Sequence, residues 1–196
     1  MPITPASAIA AAWLVWLVVW IMTAGWSARA ASHEDMGAAS PSRVLTLAAI
    51  VMIIASYWPI GVGVLWTTPQ TFGWALFALT CVGFAFAWWG RLHLGPLWSS
   101  TASPTDAHRI VDTGPYGIVR HPVYAGLLLA ALAMALESGR IEAVVGALLL
   151  TLSLSMRAKV EERILRRDVG DADYTRYRAR VPMLIPGLKN PPREAA

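Results

Sequence analysis

The sequence predicts an all-α integral membrane protein, a bundle of about five transmembrane helices followed by a cytoplasmic C-terminal helical segment. Composition is the first reason: 56% of residues are hydrophobic and 14% charged, and the mean hydropathy is +0.51. Run length is the second, because several apolar stretches can cross about 30 Å of hydrocarbon at about 1.5 Å per helical residue. They are too long and too many for the soluble core of a 196-residue chain. The third is that basic residues gather on alternate connections between those stretches.

The first apolar run extends from Ile9 to Trp26. No Lys or Arg precedes it, so it is expected to be a retained helix and not a secretion signal, which would carry a basic leader. Val44 to Trp66 and Phe72 to Trp89 form the next two runs. A fourth region, Val123 to Met156, is interrupted only by Glu137-Ser138-Gly139-Arg140, which reads as a tight turn. It therefore divides into helices over Pro122 to Leu136 and Ile141 to about Leu165. Residues 1–89 would supply three N-terminal helices and 90–196 a loop, two helices and a tail. The tryptophans fall mostly near predicted helix ends, where interfacial anchors sit.

Charge sets the expected orientation. The segments Ser27 to Arg43, Gly90 to His121 and the tail after Met156 carry 15 of the 16 Lys and Arg residues, leaving Arg140 on the other side. The positive-inside bias predicts an outside N-terminus and a cytoplasmic C-terminus. A pI near 9.6 then reflects anionic membrane lipid as the partner, and nucleic acid is disfavoured because the basic residues border bilayer helices. Cys81 is the lone cysteine, so no intrachain disulfide forms, and it is expected as a small buried residue of the third helix. His33, His93, His108 and His121 lie in neither an HExxH nor a paired-cysteine context, so no metal site is expected. Without internal repeats or midplane charges, the chain does not read as an inverted-repeat transporter.

Polar residues instead cluster in two blocks on the basic side. In His108 to Tyr124, Asp112-Thr113-Gly114-Pro115 is a turn sequence and Pro122 suits the first turn of a helix. His121 and Tyr124 are thereby held near a helix N-terminus, whose free N–H groups favour an anionic ligand group. An alternative is that Arg120 and His121 reach to lipid headgroups while Tyr116 and Tyr124 join the aromatic belt. The second block starts where the fifth helix leaves the membrane, at Arg157-Ala158-Lys159-Val160-Glu161-Glu162. Arg157 and Glu161 are four apart and share a helix face, as an exposed ion pair or as part of a site turned toward the first block. Val181-Pro182-Met183-Leu184-Ile185-Pro186 is a partly apolar tail able to fold back as a lid.

These residues carry a family resemblance. The ordered set His108-Arg109-Ile110-Val111, Gly114-Pro115-Tyr116, Arg120-His121-Pro122-Val123-Tyr124-Ala125-Gly126, Arg157, Glu161-Glu162, Tyr174, Tyr177 and Val181-Pro182 resembles the isoprenylcysteine carboxyl methyltransferase family. Related membrane phospholipid methyltransferases share part of it. The resemblance covers roughly Leu94 to Pro186 and implies S-adenosyl-L-methionine (SAM) as methyl donor, bound on the cytosolic side between the last two membrane helices and the tail. It implies that His108, Arg109, Ile110 and Val111 line the cofactor, partly through backbone groups. Tyr116, His121, Pro122, Val123, Tyr124 and Glu161 would complete that pocket. It further implies that Arg157 binds the acceptor and that Arg120 stands at the reacting end. A glutamine expected seven residues before His108 is Thr101 here, which departs from the family pattern.

The residues suit that chemistry. No GxGxxG cradle is present, and aromatic and apolar walls with one carboxylate can replace it, Glu161 accepting hydrogen bonds from the donor. Glu162 is expected to matter less. The family name implies a prenylated, lipophilic acceptor entering from the bilayer with its carboxylate already ionised, so no general base is required. Methylation of a phenol, thiol or lipid amine by the same scaffold, and a non-catalytic membrane interaction protein, are the other readings.

Overall fold

The computed structural model describes residues 2–23, 41–57, 63–95 and 110–188, and within them the protein is helical with no strand. Helix α1 spans Pro5–Met22, α2 Pro41–Ala55, α3 Gln70–Leu94, α4 Pro122–Ser138, α5 Ile141–Val169 and α6 Asp171–Arg180. A 3₁₀ turn at Gly114–Gly117 precedes α4. Three helices are long and apolar enough to cross a membrane, over Pro5–Met22, Gln70–Leu94 and Ile141–Arg167, while α2 and α4 are apolar but shorter. Their outer faces are greasy: Leu14, Val15, Val18 and Ile21 of α1 are each more than half exposed, which suits lipid and not water.

Local chemistry explains the helix limits. A capping box starts α1 four residues before the apolar run, with Ser7 N donating to Thr4 Oγ1 at 3.3 Å and Thr4 N to Ser7 Oγ at 3.0 Å. The second apolar run is not one helix: α2 ends at Ala55, ahead of Pro59 in the sequence, and residues 63–69 are non-helical. That segment instead caps the α4–α5 reversal. Leu65 N donates to Gly139 O at 2.7 Å, and Trp66 Nε1 donates to Leu136 O at 2.9 Å. The reversal itself is shorter than the four-residue turn expected, since α4 continues to Ser138 and turns at Gly139 with φ of +62°. A Cβ there would also lie 2.0 Å from Trp66 O, so only glycine fits.

Successive helices run in alternating directions. Gly83 and Gly126 let α3 and α4 approach until a Cβ on Gly126 would stand 2.3 Å from Gly83 O. On the other side α2 packs on α5, where Ser153 Oγ donates to Ser42 O and meets Thr46 Oγ1, both at 2.7 Å. Hydroxyls of this kind are polar glue in an apolar interface. The first helix lies along α3 through an aromatic column: Trp16 stacks on Phe84 at 5.5 Å and on Trp20 at 4.7 Å. These tryptophans are therefore packing groups, in contrast to the interfacial role expected of them; periodicity shows where a ring sits on its helix, not what faces it. Arg91 closes the column, its guanidinium 4.2 Å from the Trp20 ring and donating to Thr23 O at 2.6 Å. Cys81 also differs from expectation, being exposed beside Ala12 and Val15. The C-terminal end of α1, the N-terminal end of α2, and the Arg91, Pro122 and Arg157 ends of α3, α4 and α5 all gather at one end of the bundle, together with α6.

Candidate active site

At that end, His121 is the residue before α4, and Pro122 occupies the first helical position. Pro122 and Val123 turn their side chains to α3, filling the space over Gly90, so both serve packing through their side chains. Tyr124, one residue further along and so about 100° further round the helix, faces α5. Its ring stacks on that of His121, with centroids 5.6 Å apart and planes 5° from parallel. The Tyr124 hydroxyl donates to Glu161 Oε1, and His121 Nδ1 lies 3.5 Å from Glu161 Oε2. Arg157 stands one turn earlier on α5, close enough for its charge to act on the Tyr124 hydroxyl. Glu161 is thus engaged across the helix pair by Tyr124 and His121 and not in an ion pair along its own helix. Its side chain remains 47% exposed, leaving acceptor capacity free for a ligand.

Glu162 behaves differently from its neighbour. It is buried and accepts from Arg120 Nε at 2.8 Å, with Nη2 at 2.7 Å. His121 Nε2 lies 3.4 Å from the same oxygen. The histidine ring is therefore bracketed by two carboxylates, one on each nitrogen. Burial opposes its charging, but the bonds and charges of Glu161 and Glu162 outweigh that and raise its pKa above the ordinary value. Arg120 sits in this buried seam, where Nη1 donates to Val181 O at 2.5 Å and Arg178 O at 3.3 Å.

The loop before α4 is fastened to α6 by further contacts. Tyr177 Oη donates to Tyr116 O at 2.8 Å, and Arg180 Nη2 to Asp112 Oδ2 at 2.9 Å. Tyr116 stacks against His93 of α3 at 6.4 Å and lies within electrostatic reach of Glu161 and Tyr124. Ile110 packs with Tyr174, Tyr177 and Val181. It also lines a separate hollow of about 580 Å³ with Asp112, Asp173 and Arg176, which contains none of His121, Tyr124, Arg157 or Glu161. Val111 is half-buried beside it. Burial raises the hydroxyl pKa values of Tyr116, Tyr174 and Tyr177 well above the ordinary phenol, so all three stay protonated at neutral pH. Thr101, His108 and Arg109 lie outside the described residues.

Among the residues expected from sequence, His121, Tyr124, Arg157 and Glu161 come together directly, and Tyr116 stands close by. Glu162 is instead buried, and its pairing with Arg120 was not anticipated. Its signal was nevertheless present, because Leu150, Leu154, Ala158 and Glu162 form one stripe at four-residue spacing along α5 and the first three are core. Among the described residues no group of His, Cys, Asp or Glu could hold a metal ion.

Residues 75–167 match the family model described as Isoprenylcysteine carboxyl methyltransferase (ICMT) family. Over this segment, just under half of its length, the chain is similar to that family. The match begins within α3 and ends near the end of α5, so it contains His121, Tyr124, Arg157, Glu161 and Glu162. Comparison with curated proteins gives no match. That similarity suggests a membrane methyltransferase, and the helices are apolar enough to span a bilayer.

Proposed function

We propose that this protein uses SAM to methylate the carboxylate of a prenylcysteine-type lipophilic acceptor that enters from the bilayer. One observation carries the reading: within the family-matched segment, a half-exposed carboxylate, an arginine, a histidine and a tyrosine converge where α4 and α5 meet at the basic end of the bundle. The donor set fits the cofactor. Glu161 has free acceptor capacity for hydroxyl or amino donors, and the parallel His121 and Tyr124 rings give a flat wall. When bound, SAM supplies an electrophilic methyl group on a positive sulfonium.

The remaining work falls to this chain's own residues. Arg157 lies one turn nearer the bundle than Glu161, facing an acceptor arriving from lipid, and its planar fork orients a carboxylate from two sides. Apolar walls from α4 and α5 keep water low around the pair, which strengthens both interactions. The carboxylates of Glu161 and Glu162 hold the His121 pKa above its ordinary value. An acceptor carboxylate is already ionised at neutral pH and needs no base, whereas a phenol or thiol must first lose a proton. Ile110, Val111, His108 and Arg109 would complete the cofactor side. The same reading takes all five apolar helices as membrane passes, with the site and the C-terminus cytoplasmic, as the basic residues at that end favour. Calorimetry of SAM binding, coupled with methyl transfer to a prenylcysteine analogue, tests it. Absence of SAM binding by the folded protein would sink it.

A further inference from the structure

We infer that Glu162 is a positioning residue: acting through Arg120, it clamps the C-terminal tail across the open end of the α4–α5 site. The functional consequence rests on the methyltransferase reading, whereas the clamp itself does not. Glu162 sits on the buried stripe of α5, only 8% exposed, so its charge is stable there only with a partner. That partner is Arg120, itself 5% exposed, whose Nε and Nη2 both reach Glu162 Oε1.

Fixing those two nitrogens aims the third. Nη1 then points at the carbonyls of Val181 and Arg178, at the point where α6 gives way to the tail. The main chain completes the fastening, with Arg120 N donating to Pro182 O at 2.9 Å and His121 N to Met183 O at 3.1 Å. Immediately beyond, Leu184 packs on the apolar cluster shared by α4 and α5, to which Tyr124 also belongs. One carboxylate thus links three things: the tail, Arg120 in the loop before α4, and the ring of His121 that stacks on Tyr124. Without it, Arg120 loses the anion that sets its fork, and the carbonyl contacts lose their alignment. Glu161, pointing to Tyr124 and half-exposed, has no part in that seam.

The test uses the full-length protein with Cys81→Ala and a reporter Val181→Cys, whose parent residue is 6% exposed. Maleimide labelling of the reporter should be slow, become about tenfold faster with Glu162→Gln, and stay slow with Glu161→Gln, because only the first opens the seam. In the protein without the reporter, Glu162→Gln should raise the KM for SAM by about tenfold with a smaller change in kcat, and Glu162→Asp should recover part of the loss. Should Glu162→Gln fail to fold, Arg120→Lys keeps the charge but not the fork and should likewise speed labelling. Unchanged labelling in the folded Glu162→Gln or Arg120→Lys protein overturns the clamp. Faster labelling with an unchanged KM overturns its role in the site. A wild-type protein that binds no SAM defeats the methyltransferase reading instead, and the labelling comparison still decides the clamp.

Discussion

Tyr124 and Glu161, on different helices, are joined by a hydrogen bond that also seats the Tyr124 ring flat against His121. The bond leaves most of the carboxylate's acceptor capacity open, which motivates the first prediction. Glu161→Gln should weaken SAM binding by roughly 1 to 3 kcal/mol, the loss expected for a charged hydrogen-bond partner, while Tyr124→Phe should cost about 0.5 to 1.5 kcal/mol. Titration calorimetry reads both. Unchanged affinity in the Glu161 variant would remove it from the cofactor pocket.

Arg157 lies one helical turn before Glu161 on α5, toward the apolar part of that helix. A separation of donor and acceptor follows from that offset. Arg157→Lys retains the charge and loses the paired donors, so turnover on a prenylcysteine substrate should fall about tenfold or more, equivalent to about 1.4 kcal/mol. SAM affinity should stay near wild type. Full activity with lysine would mean that the acceptor is not a carboxylate gripped by a fork.

Much of this geometry was legible in the sequence, and the reason is spacing. Arg157 and Glu161 are four apart on a helix, and Pro122 fixes where α4 begins, so two of the site's sides followed from local rules. The family pattern supplied the pairing of those sides, which no local rule contains. Glu162 was obscured because adjacent carboxylates look alike in sequence and differ only in which face of α5 is buried. The tail's bonds to Arg120 and His121 are backbone contacts, and backbone acceptors carry no sequence signature. Similarly, Trp16 and Trp20 resemble interfacial anchors until Phe84 and Arg91 are seen opposite them.

Orientation is the next expected outcome. Single cysteines placed at Asp173 of α6 and at Val64, at opposite ends of the bundle and both on exposed side chains, should label oppositely in intact cells. An impermeant reagent added outside should reach position 64 and miss position 173, again in a Cys81→Ala background. Labelling at 173 would reverse the proposed topology and move the site to the other face of the membrane.

His121 gives a pH prediction with a definite sign. Its folded pKa is raised from the ordinary 6.5, because the carboxylates of Glu161 and Glu162 outweigh burial. The protonated ring therefore stabilises the fold fully below about pH 6.5, and that contribution is lost as pH rises through the higher folded value. Thermal unfolding in detergent should show a fall in Tm on going from below neutral pH into the alkaline range. His121→Gln should flatten that part of the curve. A wild-type Tm that instead increased over the window, with the increase abolished by the substitution, would contradict the bracketed arrangement.

The glycine contact between α3 and α4 yields the last prediction, because two opposing effects can be weighed. Alanine in place of Gly126 gains about 1 kcal/mol of helix propensity. Against this, its Cβ would stand 2.3 Å from Gly83 O and 2.8 Å from Ala87 N, and backbone atoms cannot rotate aside. The helices must separate, which costs about 1 to 3 kcal/mol for an overpacked contact and more where rigid groups collide. At Gly146 the nearest atom is Ile53 Cγ1 at 2.8 Å, a side-chain and not a backbone atom, and the nearest backbone atom, Ala49 O, stands further off at 3.0 Å. Gly126→Ala should therefore lower the Tm clearly and Gly146→Ala less. Because α4 also carries His121 and Tyr124, the Gly126 variant should lose SAM affinity along with stability, whereas the Gly146 variant, placed on the α2 side of α5, should lose little. Equal stability of Gly126→Ala and wild type would show that α3 and α4 are not pressed together at these two glycines, and that the site is not held by their contact.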